Sequence, residues 1–181
     1  MAIPLLKKLA ASTKCTATFG QIRGDYIYNI AQHEIKANLQ LSLNPGQRFP
    51  INYGAHGKTI LAFSSEKEQK KILNQENVNF LRSDITLAPN NTSEQPESQR
   101  NIPLNSESLK AELIKCRKDG FSFAKSRAYP GVNVISAPVF DTDKTIVGCI
   151  LVLGVFGDQK IDEYGEYTKK IVLEMSIKLK K

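Results

Sequence analysis

At 181 residues the chain is long enough for one ordinary domain, since chains of about 150 residues bury roughly 68–70% of their unfolded surface. Its 41% hydrophobic and 24% charged residues exclude collagen-like, coiled-coil and wholly disordered classes, and no apolar run approaches the about 20 residues of a membrane-spanning helix. The net charge of +7 invites a nucleic-acid reading, but the basic residues are interleaved with acids, as in Glu66-Lys67-Glu68, and only Lys178-Leu179-Lys180-Lys181 is a clean cluster, so a solvated surface is the simpler account.

The chain opens with Ile3 to Ser12, whose apolar residues Ile3, Leu5, Leu6, Leu9 and Ala10 repeat at helical spacing with lysines opposite. Pro4 fits only a first turn. A helix starting this early needs cover for Ile3, Leu6 and Leu9, either from the domain itself or from a longer natural chain cut at this point. Residues Cys15 to Ile22 and Tyr26 to Gln32 are strand-like and flank the turn signal Arg23-Gly24-Asp25, which predicts a hairpin. Asn38 to Leu43 alternates Leu39, Leu41 and Leu43 with polar residues, the pattern of a half-buried strand. Gly46 to Ile51 is expected to be a polar turn. A helix is expected from Ala55 to Phe63, and another from Ser65, where Glu68 completes a capping box.

Residues 83–105 are dominated by turn formers and polar residues, so they are expected to form an exposed loop or insert in a single domain spanning 1–181. Ser106 opens a helix that Gly120 closes, and Phe121 to Lys125 is a short strand. After a turn at Tyr129-Pro130-Gly131, Asn133 to Phe140 and Thr145 to Leu153 form a hairpin across Asp141 to Lys144. The last helix, from about Gln159 to Lys180, carries Tyr164, Ile171, Met175 and Leu179 in one stripe. Hairpins with interposed helices make the fold class α+β with a mainly antiparallel sheet.

Little in the sequence asks for catalysis. Cys15, Cys116 and Cys149 are too far apart for a metal or redox motif and read as free thiols of a cytoplasmic chain without a signal peptide. His33 and His56 have no second ligand at helical spacing, so no metal is expected. No catalytic residue and no cofactor are assigned. Gly54-Ala55-His56-Gly57-Lys58-Thr59 matches the end of a phosphate-binding loop, but Asn52 stands where the first glycine belongs. What survives is a helix start whose backbone N–H groups can bind an anion.

Pro50-x-x-x-Gly54-x-x-Gly57-Lys58-Thr59-Ile60-Leu61-Ala62, then Leu109-x-x-Glu112-Leu113-x-x-x-Arg117-x-x-Gly120-Phe121, then Gly131 to Asp141 and Gly148 to Gly154 occur in order along the chain. This series, with the opening Ile3 to Ala10, resembles the effector-binding domain of the isocitrate-lyase-regulator (IclR) family of bacterial transcription factors. The resemblance implies a GAF-like fold with about six strands, a small-molecule pocket, and homodimers or homotetramers. It also implies a winged helix-turn-helix, absent from this chain, through which alone DNA would be bound.

Carried over by position, the resemblance implies an effector site at the amides of Ala55 and His56, with Leu41 and Phe49 as wall. The family's polar positions fall on Ala124, Val134, Leu151 and Leu153, which are apolar here. An apolar carboxylate is therefore the expected effector, unless the pocket is filled by its own side chains. If the His56 imidazole faces the acid, binding should strengthen as pH falls toward about 6.5. The rival classes are a stand-alone enzyme using Cys149 or His56 in the same pocket, and a basic nucleic-acid-binding module.

Overall fold

In the computed structural model, which describes residues 2–35, 43–73, 106–125 and 131–179, the opening helix is α1 (Ala2–Thr13). Leu5, Leu6, Leu9 and Ala10 are all buried, whereas Ile3 is 49% exposed and does not receive the expected cover. They pack into one cluster with Ile171, Val172 and Met175 of the last helix, α5 (Ile161–Leu179). The leucines are therefore covered within the domain, and they are not an exposed face, because α5 lies alongside α1 over the same side of the sheet. Each buried leucine contributes roughly 1.5–3 kcal/mol.

Six strands form one sheet among the described residues: β1 (Thr16–Arg23), β2 (Tyr26–His33), β3 (Arg48–Pro50), β4 (Ser122–Lys125), β5 (Val132–Phe140) and β6 (Ile146–Val155). Their order is β3-β2-β1-β6-β5-β4 and every neighbouring pair is antiparallel. The expected α+β class with a six-stranded antiparallel sheet is what the molecule has. β3 corrects the expected polar turn over Gly46 to Ile51: Arg48, Phe49 and Pro50 pair with β2. Pro50 is tolerated because β3 is an edge strand with one unpaired side. The strand expected over residues 38–43 lies outside the described residues except for Leu43, and so do the expected loop at 83–105 and all but Gly131 of the turn at 129–131.

Both faces of the sheet are buried. Alternate residues of β5 and β6 divide between two clusters: Ile135, Ala137, Val139, Ile150 and Val152 face α1 and α5, whereas Val134, Leu151 and Leu153 face the other helices. Those helices are α2 (Gly54–Phe63), α3 (Glu66–Leu73) and α4 (Ser106–Asp119). The expected capping box starts α3, with the Ser65 N–H donating to Glu68 Oε2 at 2.9 Å and the Glu68 N–H to Ser65 Oγ at 3.3 Å. Gly120 ends α4 at φ +79°. Asp141 Oδ1 accepts the N–H groups of Asp143 and Thr145, each at 2.9 Å, and so turns β5 into β6.

Candidate functional site

α2 begins at Gly54, with Tyr53 in extended conformation before it and no side-chain cap from Tyr53. The N–H groups of its first turn have no carbonyl to meet within the helix. Two glycines make this start possible. Gly54 has φ +54°, and a Cβ on Gly57 would sit 2.7 Å from the backbone carbon of Asn52. That close approach accounts for the glycine spacing that imitates a phosphate loop. The lysine does not complete such a loop: Lys58 Nζ is buried and donates to Glu112 Oε2 at 2.6 Å and to the Phe123 carbonyl at 2.8 Å. Thr59 is buried as well, its hydroxyl within 2.8 Å of Ser122 Oγ and 3.1 Å of the Ser136 carbonyl, either of which can accept its proton.

The first turn of α2 touches both edges of the sheet. Ser122 Oγ, on β4, donates to the Ala55 carbonyl at 2.6 Å. His56 Nε2 lies 3.0 Å from the Pro50 carbonyl of β3. A carbonyl can only accept, so Nε2 carries the proton and the ring is the neutral tautomer with Nε2–H. The sheet therefore curls so that β3 and β4 meet the same helix end, and the central strands β1 and β6 face it across the interior.

Burial of the His56 ring lowers its pKa to about 4, and the Pro50 hydrogen bond opposes that shift only in part. The imidazole packs against Phe49 and Tyr53, with ring centroids 6.0 Å away in each case. This corrects the expectation of a histidine that becomes an anion-binding cation near pH 6.5: the ring is held neutral through that range because water is excluded from it.

Of the carried-over positions, Ala55, Ala124, Val134, Leu151 and Leu153 fall in one buried cluster, and Phe49 packs against it. Ala124, Val134 and Leu153 form a continuous row across β4, β5 and β6. Leu41 lies outside the described residues. Four distant segments of sequence are thus brought to one interior face beneath the α2 start.

This face also carries polar side chains that alternation in the sequence did not single out. Thr16, Thr18, Asn29, Ser122 and Ser136 are all buried. Among the described residues Ser136 Oγ has no oxygen or nitrogen partner, and the Cys149 thiol lies beside it. A strand buried on both faces gives no periodic sign of which face is which, so Thr16 and Thr18 looked like ordinary β-formers.

Neither residue of the enzyme alternative is placed for nucleophilic chemistry. Burial pushes the Cys149 thiol up to about 12, with Ser136 as its hydrogen-bonding neighbour, while His56 is committed to the Pro50 carbonyl. Cys116 is likewise raised to about 12 and Cys15 to about 11, both by burial. Among the described residues no three metal-ligating side chains cluster, and no helix is long and apolar enough to cross a membrane.

The start of α2 thus closes one interior face of the sheet, where burial keeps the His56 ring neutral and the Cys149 thiol protonated. The chain belongs to the family described as bacterial transcriptional regulator IclR C-terminal, whose profile matches residues 1–177. It is 26% identical over 138 residues to the HTH-type transcriptional regulator BhcR of Paracoccus denitrificans, covering 76% of this chain and 43% of that protein. It is 26% identical over 162 residues to the HTH-type transcriptional regulator KdgR of Escherichia coli, covering 88% of this chain and 55% of that one. The chain therefore spans about half the length of these curated relatives. In fold it matches the Thermotoga maritima IclR crystal structure with a TM-score of 0.77 and 26% identity, covering 98% of this chain and 66% of that one. The C-terminal domain of E. coli KdgR superposes with a TM-score of 0.71 at 23% identity, covering 98% of this chain and 95% of that one.

Proposed function

We propose that this domain senses a small carboxylate effector in the cytoplasm and that, in a whole regulator, occupancy controls a DNA-binding helix-turn-helix. The observation that carries the reading is the convergence of Phe49, Ala55, His56, Ala124, Val134, Leu151 and Leu153 on one buried face at the start of α2. The acid is held by the Ala55 and His56 amides, and its carbon chain lies over the apolar row. An effector acts by binding one state of the regulator better than another. Its anion meets amide dipoles and a neutral His56, so affinity is flat between about pH 6 and 8.

The test is a calorimetric series of straight-chain carboxylates. Each buried methylene adds about 0.8 kcal/mol, so three extra carbons raise affinity by roughly 1.5 decades or more. Leu151→Ser and Leu153→Ser reduce that gain. Preference for two-carbon acids, or a preference untouched by both substitutions, refutes the assignment.

The same reading places self-association as homodimers or homotetramers on α5, where Leu173 and Ile177, four residues apart, are 64% and 61% exposed. Leu173→Glu should shift light scattering toward monomer, and an unchanged molar mass would remove α5 from the interface.

A further inference from the structure

The hairpin of β1 and β2, with the edge strand β3, carries a group of side chains that the interior site does not use. Ile27 is buried on the α2 side of the sheet, so its neighbours Tyr26 and Tyr28 lie on the opposite face. Arg23 of β1 pairs with Tyr26, and Arg48 of β3 pairs with Tyr28, which puts both arginines on that face too. The helical layer packs on this face at Ala31, further along β2. It leaves Tyr26 37% exposed and both arginines exposed.

The four side chains interleave. Arg48 lies over the Tyr26 ring, 4.5 Å from its centroid, and Arg23 over the Tyr28 ring, 5.9 Å from its centroid. Each guanidinium thus crosses to the tyrosine diagonal to its own rung. The two rings meet edge to face with centroids 6.5 Å apart. A stacked guanidinium is held by its flat face and keeps its in-plane N–H donors. Arg23 donates twice to Gln21 Oε1, and Arg48 once to the Tyr28 hydroxyl at 3.4 Å. Among the described residues neither arginine meets a carboxylate, and Asp25, the acid at the hairpin tip, pairs with Lys71 at 3.4 Å. Two cations are therefore fixed side by side with donors to spare and no counter-charge.

A surface of donors takes an anion, and a planar guanidinium fork matches a carboxylate with two parallel hydrogen bonds. The tyrosine rings that carry the arginines are 6.5 Å apart, and alternate side chains of an extended peptide repeat every 6.4–6.8 Å or about that. From this match we infer that the β1–β2–β3 face docks an extended acidic segment of another protein, with carboxylates at alternate positions set on Arg48 and Arg23. Nucleic acid suits the face less well. Guanidinium groups already lie over both tyrosine rings on which bases would stack, and two unpaired cations are few beside the about 6–10 phosphate contacts of a DNA-binding surface. A second copy of the chain, itself at +7, brings the wrong overall charge. This inference is independent of the effector reading, which concerns the other face of the sheet.

The experiment is an NMR titration of the 181-residue chain at low salt with three probes. They are a peptide alternating glutamate with threonine, a peptide with as many glutamates at every third position, and single-stranded oligo(dT) of matched charge. The alternating peptide shifts the amides of Tyr26, Tyr28 and Arg48, and binds about threefold or more tighter than the spaced one. Arg23→Gln and Arg48→Gln each weaken it about fivefold, the loss of one exposed but well-oriented ion pair. Arg48→Lys keeps the charge without the fork and weakens it comparably. Thermal unfolding of each variant shows that the exposed substitutions leave the fold intact. The docking face is overturned if the alternating peptide shifts other residues or none, if it binds no better than the spaced peptide, or if Arg48→Lys retains full affinity. Tighter binding of oligo(dT) to the same residues overturns the acidic-segment assignment in favour of nucleic acid.

Discussion

The buried neutral state of His56 makes the stability of the domain depend on pH in a direction that can be worked out. Its folded pKa is about 4 against an ordinary 6.5, the largest cause being desolvation. Above 6.5 the ring is neutral in both states and contributes nothing to the pH dependence. As pH falls below 6.5 the unfolded chain takes up a proton that the folded chain refuses, so stability declines until pH reaches about 4. The full difference corresponds to about 3 kcal/mol, and the part lost between pH 7 and pH 5 is about 2 kcal/mol. Urea unfolding at the two pH values measures the loss. His56→Gln keeps an amide that can donate to the Pro50 carbonyl but cannot titrate, so its loss over the same interval should be smaller by that about 2 kcal/mol. Carboxylates that begin to protonate contribute to both proteins and cancel in the difference. Equal losses in the two proteins, or an imidazole NMR titration of the folded chain with its midpoint near 6.5, would refute the reasoning.

Gly57→Ala forces a Cβ to 2.7 Å from the Asn52 backbone and should cost about 2–3 kcal/mol, seen in thermal unfolding as a drop on the order of 5–10 °C; an unchanged midpoint would mean that α2 is free to move off residues 51–52. At the Lys58–Glu112 pair the lysine side chain is 6% exposed and the glutamate 40%. Glu112→Gln strands a buried ammonium and should therefore cost roughly 3 kcal/mol, whereas Lys58→Met leaves a carboxylate that water reaches and should cost distinctly less; urea titrations giving the reverse order would contradict that placement of the charge. Cys15, Cys116 and Cys149 are all buried, with pKa values raised to between about 11 and 12, so iodoacetamide at pH 8 should label none of them in native protein and all of them in urea, as read by mass spectrometry.

Legibility in the sequence followed the strength of the local signal. β5 and β6 were found from an apolar run split by Asp141 to Lys144, because a turn with a side-chain oxygen on two N–H groups has a distinctive composition. The start of α3 was visible for the same reason, since Ser65 and Glu68 satisfy each other locally. β3 was not, because three residues ending in proline at a sheet edge carry no periodicity and owe their conformation to β2. The candidate site divides likewise. Ala55 and His56 were reachable because a helix start announces its own N–H groups, and Ala124, Val134, Leu151 and Leu153 through the family resemblance. The direction of the His56 ring was not legible, since it depends on a carbonyl of an edge strand. Nor was the place of Thr16 and Thr18 beside Leu153 and Leu151, since the pairing of β1 with β6 decides it.

The energetics of the proposed site assign its two ends unequal roles. A charge at a helix start is worth about 0.3–1 kcal/mol when exposed and up to about 2 kcal/mol in a partly buried setting. No cationic side chain strengthens it here, because Lys58 is paired with Glu112 and His56 is neutral. Micromolar affinity requires about 8.2 kcal/mol, so the acid end cannot supply most of it. Burial over Val134, Leu151 and Leu153 at about 0.8 kcal/mol per methylene has to provide the larger share. In the proposed site, discrimination among effectors therefore rests on the apolar row of β5 and β6. In the same proposal the α2 amides, tied by Ala55 to β4 and by His56 to β3, set orientation and select for a negative end.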